Sequence, residues 1–294
     1  MDHNEHKETR ALSSSRRAYD LILRSLLYFC AAVTCLLLVF VIGYIFVRGL
    51  PHITWELLST SPSYIKDTIG ILPNIVNTVY LVVVTLIITL PLGVGAAVYL
   101  TEYAQNKKLV AAIEFATETL TGIPSIIFGL VGMLFFCQLL GLQASLLAGS
   151  LTLVIVTIPT IIRTTQESLK TVPQSYREAA LALGSGKWYM IRTVILPSSI
   201  DGIVTGCILA IGRIVGESAA LLFTAGIGMS MNNFFGSVDN FVHSSGASLT
   251  VALYVYARER AEFDVAFAIA AILMILTLVI NLAASLVGRK LKKH

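Results

Sequence analysis

Charged side chains are scarce in this sequence. Asp, Glu, Lys and Arg make up 13% of the 294 residues, while 56% are hydrophobic; a soluble domain carries roughly 25% charged residues. That shortage excludes a soluble globular domain and leaves an integral membrane protein. Cysteine is also sparse. Cys30, Cys35, Cys137 and Cys207 each lie in an apolar run, at spacings that fit neither a disulfide framework nor a zinc site, and read as packing residues. The five histidines are scattered, with no His-Glu-x-x-His pair, so no metal site is expected. No nucleophile, base and orienting group fall together, so the chain is not expected to be an enzyme and no catalytic residue is assigned. The GSGK within LGSGKW lacks the first glycine of a phosphate loop and has Trp188 where Ser or Thr is required, which removes a nucleotide site in this chain.

Long uncharged runs are what the sequence holds instead. The 23 residues between Arg24 and Arg48 exceed a signal-peptide core, and no small-residue cleavage pattern follows them. They are expected to form an anchored first helix over 25–48. The 34 uncharged residues between Asp67 and Glu102 hold a second helix, from about Asn74 to Tyr99, able to span roughly 30 Å of hydrocarbon. The 44 between Glu118 and Arg163 suffice for a third and a fourth, turning at the GLQAS stretch, Gly141 to Ser145. A fifth runs over Ile200–Leu222, and the 24 uncharged residues between Asp264 and Arg289 form a sixth. The expected fold is all-α and polytopic, with six transmembrane helices and both termini on one side.

Basic residues orient it. With the N-terminus in the cytoplasm, 16 of the 21 Lys and Arg lie inside. Arg48, Lys66, Arg258 and Arg260 lie outside, and Arg213 alone lies within a span. This asymmetry predicts a cytoplasmic segment over 1–24 and a cytoplasmic tail over 289–294. It also accounts for the net charge of +4 as topology and contact with anionic lipid headgroups, giving no reason to propose a nucleic-acid partner.

The longest inner connection, 163–197, contains SYREAALALG, whose Ala and Leu content predicts a short detached helix. Ser175 is a candidate cap for its start, and Gly184 suits the left-handed position after its end. A second amphipathic piece, Lys187 to Val194, leads to Pro197. Ser198 or Ser199 is a candidate cap for the fifth span, with Asp201 in its first turn. Glu178, Ala179 and Ala180, three further residues, Gly184, nine further residues, then Val194, Leu196 and Pro197 resemble the EAA signature of ABC-transporter permeases; the family usually has Ile where Val194 stands. Four longer blocks narrow the likeness: NTVYLVVVTLIITLPLGVGAAVYLTEY from Asn77, LTGIPSIIFGLVG from Leu120, IPTIIRTTQESLKTVPQSYREAALALG from Ile158 and GRIVGESAALLFTAG from Gly212. Together they are similar to the PstA-type permeases of phosphate ABC importers.

The resemblance implies a MetI-like permease domain over 69–288, preceded by one additional span. It implies that Glu178, Ala179, Ala180, Gly184, Leu196 and Pro197 belong to a coupling segment that docks on a cytoplasmic ATPase. The implied partners are a PstC-like second permease, a PstB-like ATPase dimer and a PstS-like extracytoplasmic phosphate-binding protein. ATP is bound by the partner, so this chain needs no cofactor, and the implied location is a bacterial or archaeal cytoplasmic (inner) membrane. A MetI-like permease for another oxyanion or small solute is the alternative. A secondary transporter would use an ion gradient, and the coupling signature argues against it.

Arg213 and Glu217 stand in an apolar run, ILAIGRIVGESAALLF, where a charge at bilayer depth costs about 2.5–3.5 kcal/mol. On one continuous helix, Gly202, Gly206, Leu209, Arg213, Glu217 and Ala220 form a single stripe, while Gly212 and Gly216 offer a small-residue contact to another helix. Two readings stay open: a phosphate pathway, in which the guanidinium binds the oxyanion and Glu217 offsets it when the path is empty, or a structural i,i+4 ion pair. Asn77 and Thr78, with Thr85 and Thr89, either line the same pathway or bond backbone. The outer loop after the fifth span docks the binding protein, covers an outer gate or merely connects.

Overall fold

The computed structural model describes residues 14–62, 68–232 and 237–292. Helix α1 (Ser14–Gly49) belongs, up to Arg48, to a unit of its own. The stretch Tyr19–His52 is long and apolar enough to cross a bilayer, and its large side chains are exposed all along it, as expected of a helix solvated by lipid. Near its end Phe40 stacks on Tyr44, and Arg48 sits over the Tyr44 ring.

From Gly49 onward the chain forms a second unit. It contains α2 (Leu72–Val98), α3 (Lys107–Gly122), α4 (Ser125–Gly132), α5 (Leu146–Thr171) and α6 (Gln174–Ala182). There follow α7 (Lys187–Met190), α8 (Ile200–Gly216), α9 (Ala219–Thr224), α10 (Leu249–Tyr254) and α11 (Phe263–Lys292). Pro73 sits in the first turn of α2, where its missing N–H has no intrahelical partner to lose. At the other end α2 continues into a π-helical turn, Tyr99–Tyr103, which Ala104 N closes by donating to Tyr99 O at 2.9 Å.

Lipid is as apolar as leucine, so close packing and polar contacts hold spans together where hydrophobic transfer cannot. The α2–α5 pair uses both. Thr85 Oγ1 donates to Ser150 O at 3.4 Å, the Thr89 and Thr157 hydroxyls meet at 3.3 Å, and Gly93 lets Ile161 approach so closely that a Cβ would collide with it. On α8, Gly202 lies against Ser168 and Gly206 against Thr164 of α5, and Ser168 Oγ donates to Ser199 O at 2.9 Å. Two residues of the expected stripe therefore serve helix packing within the chain. Leu81, Leu153, Ile211, Leu221 and Val251, one from each of α2, α5, α8, α9 and α10, meet in one buried cluster.

Two spans differ from the sequence expectation. The third is not straight: Lys107–Gly122 and Ser125–Leu139 are bent by 100°. The bend falls at Ile123 and Pro124, both with extended ψ, because proline excludes its predecessor from the helical region. The part after the bend, Ser125–Leu139, is only about 22 Å long at helical rise. The turn after it lies where GLQAS stands. Gly141 and Gln143 take φ of 71° and 54°, and Ser145 Oγ caps α5 by accepting from Ala148 N at 3.2 Å.

The fifth span is broken as well. The helical stretch Lys187–Ser198 meets α8 at 66°, and α8 stops at Gly216 instead of continuing to Leu222. Glu217 is extended, with φ −80° and ψ 121°, and a new helix starts at Ala219. Neither expected side-chain cap forms, although Ser199 stands at the N-cap position of α8. Pro173 precedes α6, with Ser175 inside the helix. Ser198 and Ser199 turn their hydroxyls back to Val194 O and Leu196 O.

Candidate functional site

Three groups of predicted residues lie in three different places. The segment around α6 comes first. Its helix α6 has no buried residue, and Glu178, Ala179 and Gly184 are exposed, with Ala180 half-buried. Gly184 has φ +80°. Ser185 N donates to Ala180 O at 3.2 Å and Gly184 N to Leu181 O at 2.9 Å, the paired bonds of a Schellman end that needs a left-handed residue. Beneath α6, Ala97, Leu169, Ile191 and Ile195 form a buried apolar cluster against which Ala180, Val194 and Leu196 pack. Pro197 is exposed. Leu183 is 88% exposed, Trp188 61% and Tyr189 65%. These are large apolar side chains left exposed beside α6.

The intramembrane arginine is the second place. Arg213 lies in the last turn of α8, about 20 Å along the helix from Ile200. Asp201, Thr205, Leu209, Gly212 and Gly216 are exposed and run as one stripe along α8. A Cβ added at Gly212 or Gly216 would meet nothing within 4 Å, so among the described residues nothing packs on that face at these two positions. Arg213 is half-buried at its border. Among the described residues it has no carboxylate within 4.0 Å.

The i,i+4 pair with Glu217 is thus corrected. It requires helical backbone through Glu217, and the helix has ended one residue earlier. Glu217 is bound elsewhere: its Oε1 accepts from Ala220 N at 3.1 Å, capping α9, and its carbonyl accepts from Thr250 Oγ1 at 2.9 Å. Arg213 and Glu217 are neighbours in sequence with separate tasks.

The third place is the start of α2. Asn77 and Thr78 are 1% and 2% exposed, with their polar atoms engaged inside the chain. Asn77 Nδ2 donates to Ala247 O at 3.2 Å, and Asn77 Oδ1 accepts from Asn232 Nδ2 at 3.4 Å. Thr78 Oγ1 donates to Asn74 O at 2.7 Å and accepts from Leu249 N at 2.9 Å. Asn74 Nδ2 also reaches Ala247 O, at 3.0 Å. These side chains hold the segment before α10 onto α2 and cap the start of α10.

Sequence reasoning missed Arg177 and Glu102, whose side chains are 13% and 6% exposed and whose Nη2 and Oε1 lie 2.8 Å apart. The available signal was weak. Glu102 ends an uncharged run and Arg177 directly precedes Glu178, but 75 positions separate them.

The chain matches the family model described as binding-protein-dependent transport system inner membrane component over residues 89–293. It is 35% identical over 289 residues to the probable ABC transporter permease protein YqgI of Bacillus subtilis, covering 95% of this chain and 98% of that one. It is 31% identical over 289 residues to the phosphate transport system permease protein PstA 1 of Mycobacterium tuberculosis, covering 95% and 91%. Among solved structures, a chain of a bacterial ABC transporter that imports the acidic polysaccharide alginate superimposes with a TM-score of 0.63, at 16% identity over 93% of this chain and 99% of that one. That last likeness supports the fold alone.

Proposed function

We propose that this chain, which belongs to the family of binding-protein-dependent transport system inner membrane components, forms half of the membrane pathway of an ATP-driven phosphate importer. Such subunits are permeases, and ATP hydrolysis belongs to a partner. The observation that carries phosphate is Arg213. Arg213 is half-buried beside the exposed Gly212 and Gly216 and has no carboxylate within 4.0 Å among the described residues, and a charge at membrane depth needs water or an anion to offset roughly 2.5–3.5 kcal/mol. A planar, permanently protonated fork suits a tetrahedral oxyanion. Relatives that carry phosphate in their names support the same choice.

In this reading the uncovered α8 face meets a PstC-like second permease, the exposed end of α6 docks on a PstB-like ATPase dimer, and a PstS-like protein delivers phosphate to the outer loop. Asn77 and Thr78 shape the outer end of the path by holding that loop, without contacting the anion. The membrane is the cytoplasmic one, with both termini inside. Single cysteines test this orientation. A membrane-impermeant thiol reagent should label Cys at Ser175 only from the cytoplasmic side and Cys at Ser237 only from outside, both positions being exposed. The reverse pattern would overturn the orientation.

The substrate is tested by reconstituting the four components and measuring uptake of labelled phosphate. Phosphate should compete and sulfate and molybdate should not, and uptake should stop without ATP. Equal competition by all three anions would replace this reading with a permease for oxyanions in general, which the broader naming of YqgI also allows. Uptake that persists without the ATPase would exclude coupling to it.

A further inference from the structure

Helix α6 has no buried residue of its own, yet in the function proposed above it must pass a displacement to the membrane helices. Arg177, on α6, makes four hydrogen bonds. Its Nε and Nη2 donate to Glu102 Oε1 at 3.1 and 2.8 Å, Nη1 donates to Val172 O at 2.7 Å, and Nη2 donates also to Leu169 O at 2.9 Å. One guanidinium therefore ties α6 to the π-helical turn after α2, through Glu102, and to the end of α5, through the Leu169 carbonyl, which also accepts from Val172 N at 3.4 Å, and the Val172 carbonyl just beyond it. A cation is favoured at that negative helix end.

The neighbouring residue in the same π-helical turn holds the far side of the segment. Lys187 Nζ lies 4.9 Å from the centre of the Tyr103 ring. Arg177 and Lys187 thus bracket the exposed stretch 178–186, and consecutive residues of one wide turn receive both. From that turn α2 runs unbroken to Leu72, about 40 Å, where Asn74, Asn77 and Thr78 hold the outer loop.

We infer that Arg177 and Glu102 are positioning residues for coupling: the buried pair makes a movement of α6 a movement of α2, and through it of the outer loop. The inference rests on the importer reading. Apolar packing beneath the loop fixes Met190 to Leu196 and reaches α6 through Ala180, and the arginine fork supplies the hydrogen bonds that join α6 to α2 and α5.

The test uses the complete complex in proteoliposomes and reads two quantities: phosphate moved per ATP hydrolysed, and ATPase subunit retained on purification. Removing one partner strands a buried charge and can simply unfold the site, so the informative variant is Arg177→Met with Glu102→Met, which leaves no lone charge. It should retain the ATPase and hydrolyse ATP, while phosphate moved per ATP falls at least about fivefold, the lower end of a coupling effect. Arg177→Lys keeps the charge and loses the fork, and should fall between the two. A double variant with the wild-type ratio would overturn the inference and make the pair purely structural. So would loss of uptake in strict proportion to loss of bound ATPase in both variants. A wild-type complex that hydrolyses ATP without moving phosphate would instead overturn the importer reading, and the pair's role with it.

Discussion

Arg213→Gln is expected to reduce ATP-driven phosphate uptake to background while the protein still inserts, pairs with its second permease and retains the ATPase. Glutamine keeps hydrogen-bonding groups but removes the charge a desolvated phosphate requires. The structure sharpens the control. Because Glu217 Oε1 caps Ala220 N, Glu217→Gln preserves an acceptor oxygen and should keep most of the uptake. Glu217→Ala loses the cap, at about 1 kcal/mol, and should lower the yield of assembled complex. The double variant Arg213→Gln with Glu217→Gln should remain inactive, since no pair exists to be neutralised. Recovery of uptake in that double variant would assign the arginine to structure.

The second large effect is expected at the cytoplasmic segment. Gly184 holds φ +80° at the end of α6, and an L-residue there costs about 1–2 kcal/mol, with a β-branched one at the upper end. Gly184→Val should therefore unwind the Schellman end and turn Leu183 away from its docking position. Glu178→Lys reverses a charge on the exposed face of the same helix without touching its packing. Both variants should be inserted at wild-type levels and give no ATP-driven uptake. Gly184→Val should also release the ATPase on purification. Normal uptake by both would remove the segment from the coupling role. Gly184→Ala, with less crowding at the same backbone angle, should be intermediate.

These two sites differ in how far they could be read from the sequence. The form of α6 is local: Ala and Leu favour the helix, and Gly184 permits its left-handed end. Its form follows from residues close in the chain. Arg213 was legible as an isolated charge in an apolar run, but its surroundings were not. A helical wheel placed Glu217 beside it on the assumption of unbroken helix, and nothing in GRIVGESAALL contradicts that assumption locally.

What the sequence by itself determined is the number and approximate place of the apolar runs, the turn at Gly141 to Ser145 and the short helix α6 with its glycine end. Each rests on composition or on backbone preferences acting over a few residues. The bend at Pro124 was within reach of the same rules, since proline restricts the residue before it. Only the tertiary structure decided the break at Glu217, which Thr250 holds from 33 positions away, and the Arg177–Glu102 pair, formed across 75. In both, the deciding partner is brought by helix packing, and the gain comes from satisfying polar groups that would otherwise lie buried without a partner. No preference local to either residue encodes where that partner will be.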